Sequence, residues 1–333
     1  LPKEGSHYDM PIALGLLVAM GVLAQEQVTD FYVMGELGLD GACIGVPGAL
    51  PAAMAALELG LGLICPEQCG PEAAWSGLAA PDKPGILAAG HLLDVLNHLR
   101  GSQLLLPPKT QRRTQALSHP DMADVRGQPQ ARLALEVAAA GGHNLLMNGP
   151  PGAGKSMLAA RLPGLLPELQ SRERLEVSVI ESLSSPRGGV RLADQRPFRA
   201  PHHSASMAAL IGGGRQAKPG EISLAHCGVL FLDELPEFSR QALDALRQPI
   251  ETGRVEVARA EAHVAYNANF QLVAAMNPCR CGHADDPDLA CHRLPLCRQD
   301  YLSKVSGPLF DRFDIRIDVP PVALSSLMAD EKD

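Results

Sequence analysis

Apolar positions recur along this chain in short segments set off by glycine and proline, and their rhythm changes part-way along. Residues 11–24 carry enough continuous apolar surface to predict a helix, and 31-FYVMGELGLDG-41 predicts a strand pair around its glycines. The stretch 48–60 reads as helix and 61-LGLICP-66 as a strand, while 90-GHLLDVLNHLR-100 spaces its apolar residues at the 3.6-residue period of an amphipathic helix. Such a mixture predicts a small α/β domain over residues 1–106, without internal repeats. Next, 107-PPKTQRRTQALSHPDM-122 opens on two prolines and is mostly polar, the composition of a linker.

From 123 to 333 the alternation is more regular. An alanine-rich segment, 128–140, predicts a helix stopped by Gly141-Gly142. Short apolar strands are expected at 144–148, 177–180, 228–233, 270–276 and 315–317, with helical segments between several of them. Alternation of this kind predicts an α/β fold with a doubly wound parallel sheet.

Composition narrows the function classes. With 333 residues, 46% of them hydrophobic, the chain can bury two cores. Its longest apolar run, 10-MPIALGLLVAMGVLA-24, falls short of the roughly 18–20 residues of a spanning helix and lacks a basic flank, so a core helix is expected and no membrane partner. Opening on leucine, the chain reads as a fragment or processed form; no targeting segment is visible, and a cytoplasmic location is expected. Eight cysteines in a chain this long do not make a secreted disulfide scaffold. Cys43, Cys65, Cys69 and Cys227 are scattered among apolar or loop residues and are expected as buried or incidental thiols. The net charge of −8 argues against polyanion binding over the whole surface. Charge is uneven, however: within 182–219 stand Arg187, Arg191, Arg196, Arg199, Arg215 and Lys218 against Asp194 alone.

The sharpest chemistry begins at the strand 144–148, which runs into 149-GPPGAGKS-156 and then a helix-compatible segment. This is the G-x-x-x-x-G-K-[ST] phosphate loop in its strand–loop–helix setting. In the loop Gly149, Pro150, Pro151, Gly152, Ala153 and Gly154, the glycines let backbone N–H groups curl around phosphate oxygens. Lys155 reaches the β- and γ-phosphates of ATP, and the Ser156 hydroxyl coordinates Mg²⁺. A second piece, 228-GVLFLDE-234, ends a buried strand in two acids: Asp233 is expected to hold the magnesium and Glu234 to polarise the attacking water. Asn277, at the end of strand 270–276, can sense the γ-phosphate; alternatively it caps the turn before Pro278. Arg312, in 307-GPLFDRFDI-315, is either a paired surface charge or an arginine finger completing the site of a neighbouring subunit.

Four cysteines crowd one segment as Cys279-x-Cys281-x9-Cys291-x5-Cys297, with His283 and His292 nearby. Two thiol pairs brought together by a loop are the arrangement of a structural Zn²⁺ site, and four protein ligands would leave no open position for catalysis. Reduced free thiols are the alternative reading. Clamping the aspartate-rich 282–290 would fix the path from Asn277 to Arg312. The segment 252–267 reads as a β-hairpin with Arg259 near its tip, since VEV and HVA alternate around a short turn. The basic excess of 182–219 suits a phosphate backbone, where binding is mainly counterion release. Near-absence of aromatics there argues against base stacking. Those arginines could instead line subunit interfaces.

Taken together, the phosphate loop, 197-PFRAPHHSASMAALIGGG-214, 230-LFLDELPEF-238, 251-ETGRVEVARA-260, 274-AAMNPCRCG-282 and 306-SGPLFDRFD-314 resemble the magnesium-chelatase-like AAA+ proteins, in particular the ComM (YifB) group. The resemblance extends over nearly all of the chain. It implies a AAA+ P-loop ATPase, a homo-hexameric ring, and the hairpin and the 182–219 insertion projecting into a central pore to contact single-stranded or branched DNA. It also implies a helical lid with a second sensor arginine, which 319-VPPVALSSLMADEKD-333 does not contain. Stretches 3-KEGSHYDMPIALG-15, 35-GELGLDGACIGVPGAL-50 and 61-LGLICPEQC-69 resemble the Lon-type proteolytic domain (S5 domain 2-like). Its serine position falls on Asp9 and its lysine position on Leu50, with Ser6 nearby read as a turn residue; a domain without peptidase activity is implied. The function implied is an ATP-driven DNA helicase for branch migration in natural transformation. Two other functions compete: a chelatase-type motor remodelling a protein partner, and a nucleotide-dependent switch with little turnover.

Overall fold

A computed structural model describes residues 6–77, 85–110, 119–213, 217–258, 263–282, 291 and 293–322. The chain forms two compact units: Leu1–Gln115 together with Arg174–Asp194, and Ala116–Glu173 together with Gln195–Asp333. No helix among the described residues is long and apolar enough to cross a membrane.

In the first unit, β1 (Phe31–Val33) lies beside a later strand rather than pairing locally. The short β2 (Glu36–Leu37) pairs antiparallel with β3 (Cys43–Ile44), and β4 (Gly62–Pro66) is the centre of a parallel sheet ordered β1-β4-β5, with β5 at Ile86–Ala89. The expected strand pair over 31–41 is thereby corrected: β1 and β2 belong to different sheets. β4 is buried along its whole length, and its side chains alternate between two cores. Leu63 and Cys65 pack with the alanine face of the helix Ala49–Glu58, whereas Ile64 packs with Met10, Leu14 and Val95 of the helices Asp9–Ala19 and Leu92–Leu99. Asp9 opens the helix Asp9–Ala19, and Leu50 is buried in the helix Ala49–Glu58.

The segment 177–180, expected as a strand, lies inside the helix Ser171–Ser184. A short apolar run fits either element, and here Val177, Ser178, Ile180 and Ser182 are the buried positions of the helix. From Arg174 onward this segment clusters with the first unit. Its anchor is Glu72, only 1% exposed, whose carboxylate accepts from Leu50 N (3.2 Å) and Val190 N (3.0 Å). A buried carboxylate is tolerable only when its lone pairs are filled in this way. The uninterrupted 123–333 domain is corrected accordingly.

The second unit is built on β6 (Leu145–Asn148), β7 (Phe198–Arg199), β8 (Gly212–Gly213), β9 (Lys218–Pro219), β10 (Val229–Leu232), β11 (Arg254–Ala258), β12 (His263–Asn267), β13 (Gln271–Met276) and β14 (Ile315–Asp318). Five of these make an all-parallel sheet ordered β14-β6-β13-β10-β7, the doubly wound arrangement expected of a AAA+ P-loop unit. The fifth strand of this sheet is the edge strand β7, not the expected segment 177–180. The helix Pro129–Gly141 ends at Gly142 in the left-handed region (φ 67°), as its glycine pair predicts. β11 and β12 form the expected antiparallel hairpin, whose tip, with Arg259, lies outside the described residues. Because β10 and β13 are central and buried, the residues just past their carboxyl ends all emerge at one edge of the sheet.

Candidate nucleotide-binding site

At that edge the chain leaves β6 through Gly149, where a Cβ would lie 2.2 Å from the carbonyl oxygen of Val319; no side chain fits there. Gly152 (φ 79°) and Gly154 (φ 87°) take left-handed conformations that side chains resist, which curls the loop into the start of the helix Lys155–Ala159. Gln128 braces the loop from below, its Nε2 donating to the carbonyls of Ala153 (2.8 Å) and Pro320 (3.0 Å). The result is a cavity of about 410 Å³ lined by Pro151–Met157, Asp233, Glu234, Met276 and Asn277.

Lys155 is 8% exposed, and its ammonium donates to the carbonyls of Gly149 (2.6 Å) and Pro150 (2.9 Å) and to Asn277 Oδ1 (3.1 Å). Burial pulls its pKa down while the charges of Asp233 and Glu234 push it back up. Ser156 Oγ donates to Asp233 Oδ2 at 2.6 Å, so a hydroxyl and a carboxylate from different elements converge beside the lysine. Two hard oxygen donors next to a phosphate cradle fit Mg²⁺. All of the expected nucleotide residues on these three segments are therefore brought together, and Asn277 is among them.

Glu234 follows Asp233 in a left-handed conformation (φ 52°, ψ 47°), unusual for a non-glycine residue, with its N–H donating to Asp233 Oδ1 at 2.9 Å. That turn aims its carboxylate at His203, whose Nδ1 lies 3.1 Å from Glu234 Oε2. His203 comes just after β7, its ring tilted against that of His202 (centroids 4.1 Å apart) and edge-on to Phe238 (6.5 Å). Sequence reasoning quoted this histidine pair without giving it a role; the signal was its place four residues past an edge strand that flanks β10. Gln128 was missed as well.

Arg312 does not line the cavity. It pairs with Glu251 of the helix Arg247–Thr252, and its carbonyl accepts from Asn144 Nδ2 at 2.9 Å. The basic stretch 182–219 is divided between the two units, and two of its arginines are held in ion pairs. Arg196 is held by Glu173 (3.2 Å) and by the carbonyls of Pro167 and Cys227 (2.6 and 2.7 Å), and Arg199 makes a two-pronged pair with Glu221 (2.7 and 2.8 Å). Arg187 and Arg191 are exposed but cluster with the first unit, Lys218 is exposed in the second, and Arg215 lies outside the described residues.

The Sγ atoms of Cys279, Cys281, Cys291 and Cys297 all lie within 4.8 Å of one another. Cys279 and Cys281 Sγ stand 3.0 Å apart, too far for a disulfide of about 2.05 Å. A tetrahedral zinc with bonds of about 2.3 Å needs sulfur pairs roughly 3.8 Å apart, so the four thiols fit that ion without rearrangement of the fold. Desolvation acts to raise the Cys297 thiol, yet hydrogen bonds from Cys291, the backbone of Cys281 and Arg280, and Cys279 hold it below its ordinary value. His283 and His292 lie outside the described residues. By contrast, burial pushes Cys43 and Cys69 each up to about 11 and Cys65 well above the usual thiol range, as expected of inert core thiols.

Comparison with known proteins adds relatives to this geometry. Residues 121–327 match the family model "Magnesium chelatase, subunit ChlI", and residues 1–69 match a second model, "Subunit ChlI of Mg-chelatase". The uncharacterized protein YifB of Escherichia coli K12 is 48% identical over 321 residues, covering 96% of this chain and 62% of the relative. Competence protein ComM of Haemophilus influenzae is 46% identical over 332 residues, covering 98% of this chain and 64% of the relative. An uncharacterized protein of Mycobacterium tuberculosis is 47% identical over 320 residues, covering 95% and 62%. The chain thus spans less than two thirds of the length of the curated relatives it matches.

Proposed function

The chain belongs to the magnesium chelatase ChlI family, and from that premise we propose that it is the ATP-hydrolysing part of a hexameric DNA motor. One observation carries the ATPase half: Lys155, Ser156, Asp233, Glu234 and Asn277, drawn from three segments, converge on one cavity at the carboxyl edge of a parallel sheet.

In this reading the N–H groups of residues 152–156 wrap the β-phosphate, and Lys155 exchanges its carbonyl partners for phosphate oxygens. Its partial desolvation makes that exchange favourable, since the ammonium is held in place without bulk water. Ser156 and Asp233 hold magnesium, which when bound offsets the charge developing on the phosphate oxygens. Glu234 orients the attacking water and draws its proton. Asn277, released from Lys155, donates through its amide to the γ-phosphate side of the cavity. His203 fixes the Glu234 carboxylate between turnovers. Arg312 serves as the finger for a neighbouring copy, which fits its position away from its own cavity. Structural zinc on Cys279, Cys281, Cys291 and Cys297 orders the segment between Asn277 and Arg312.

DNA as substrate is supported by the competence role carried in the name of the Haemophilus relative. Single-stranded or branched DNA would be gripped by the β11–β12 hairpin with Arg259 and by Lys218 and Arg215; the first unit, which carries Arg187 and Arg191, would act as a scaffold without peptidase chemistry. A second reading, a motor that remodels a protein partner, is favoured by the ion pairs of Arg196 and Arg199, which remove two positive charges from the proposed DNA face. ATP hydrolysis measured with and without branched DNA separates the two. Stimulation several-fold above the basal rate supports the DNA motor; nucleotide hydrolysis indifferent to single-stranded and branched DNA alike returns the assignment to a protein substrate.

A further inference from the structure

Between Asn277 and the second thiol pair, the chain makes a tight turn in which Gly282 N donates to the Cys279 carbonyl at 3.0 Å. Gly282 is buried and left-handed (φ +87°), and a Cβ on it would fall 2.6 Å from Cδ and 2.7 Å from Cγ of Pro151. The backbone of the thiol-bearing turn therefore rests directly on a proline ring of the phosphate loop. The same turn reaches the loop a second time through Asn277, whose Oδ1 accepts from Lys155 at 3.1 Å. From the other side, the helix Leu296–Leu302 carries both Cys297 and the 2%-exposed Tyr301, whose phenol is close enough to the Asn277 backbone to feel it electrostatically. Thiols from the turn and from this helix are thus arranged so that one ion would tie together the two supports of the residue that touches Lys155.

We propose that the four-cysteine cluster is a metal-dependent clamp on the nucleotide site: a zinc-class ion bound by Cys279, Cys281, Cys291 and Cys297 presses the 279–282 turn onto Pro151 and raises nucleotide affinity. This rests on reading the cavity as a nucleotide site. No cysteine need touch nucleotide; the coupling is mechanical, through packed backbone and ring, and packed contacts of this kind transmit small displacements because they have no slack. Coupling between two binding events is reciprocal, so nucleotide must in turn hold the ion.

Reciprocity gives a test on the unmodified chain. Zinc-loaded protein is titrated to equilibrium with a chromophoric zinc chelator of known affinity, with and without saturating ADP, whose binding is verified separately by direct titration. ADP is expected to tighten zinc binding by about 5- to 10-fold, within the usual range of allosteric coupling. A zinc affinity unaffected by bound ADP overturns the clamp, whereas an absence of ADP binding overturns the nucleotide reading itself. A chain that takes up no zinc when purified without chelator and reconstituted with the ion overturns the clamp as well. Two variants locate the path. Cys297→Ser, remote from the phosphate loop in sequence, should lose zinc and bind ADP several-fold more weakly. Gly282→Ala should keep its zinc yet also lose ADP affinity, because its methyl group collides with Pro151; undiminished affinity in this zinc-bearing variant would show that the contact is not the route.

Discussion

Nδ1 of His203 lies 3.1 Å from Oε2 of Glu234, joining a residue of the loop after the edge strand β7 to the acid proposed to activate water. The two stand 31 positions apart, and parallel pairing of β7 with β10 sets them side by side. His203 is not among the residues lining the cavity and pairs with Glu234, which fits a positioning role for it. His203→Ala should lower kcat for ATP hydrolysis by about 10-fold, the scale of one hydrogen bond to a charged group, with nucleotide affinity unchanged. His203→Gln, which keeps a donor, should recover part of the rate. A variant that alters KM while sparing kcat would assign the histidine to nucleotide binding instead.

Lys155 and Glu234 make separable contributions. Lys155→Ala removes a desolvated cation held by three oxygen acceptors, and should weaken nucleotide binding by roughly 10- to 100-fold. Glu234→Gln keeps the shape of the site and removes only the charge that draws a proton from water. Binding should survive while hydrolysis falls by about 10²–10⁴-fold. Isothermal titration alongside a phosphate-release assay reads both, and equal losses of affinity in the two variants would reject the roles.

Arg196 is a structural residue. Its guanidinium, with the side chain 14% exposed, meets Glu173 and two backbone carbonyls at once. Cutting it back leaves a part-buried carboxylate and two carbonyls short of a donor. Arg196→Ala should cost about 3 kcal/mol of stability, visible as a lower melting temperature. Lys218→Ala and Arg259→Ala should leave the melt in place and instead flatten the salt dependence of DNA binding, by roughly 0.7 in slope per lost phosphate contact on single strands. A flattened slope with an unchanged melt for Arg196→Ala would put that arginine on the DNA.

What was legible from the sequence is what is written locally. The phosphate loop, the Asp233–Glu234 pair and Asn277 each sit at the end of an apolar run, and a buried parallel strand delivers whatever follows it to one edge. The four cysteines are also close in sequence, and their spacing was enough to bring them together. Long-range pairings were not legible. Nothing near Arg196 or Arg199 announces Glu173 or Glu221, each more than twenty residues away, so the net charge of 182–219 overstated its free cations. The Glu72 carboxylate binds Val190 across 118 positions, and no local pattern assigns 174–194 to the first unit. VSVI at 177–180 misled because four apolar-rich residues satisfy a strand and a helix stripe equally, and only the tertiary partner decides.

Arg312 provides the test of assembly. Within its own chain it is bound to Glu251 and stands apart from the cavity, so a catalytic role requires another copy. Arg312→Ala alone should abolish hydrolysis, since an arginine finger contributes on the order of 10³–10⁵ in rate, while nucleotide and DNA binding persist. Glu234→Gln chains are equally inactive for a different reason. When the two are mixed, a fraction of interfaces pairs an intact Glu234 on one chain with an intact Arg312 on the next, and hydrolysis should partly recover. Because recovery depends on the statistics of neighbours, it should rise and then fall as the mixing ratio is varied, with its maximum near equal amounts. A same-chain finger predicts no recovery at any ratio. Mixtures shown by native mass spectrometry to co-assemble, yet inactive throughout the series, would reduce Arg312 to the partner of Glu251.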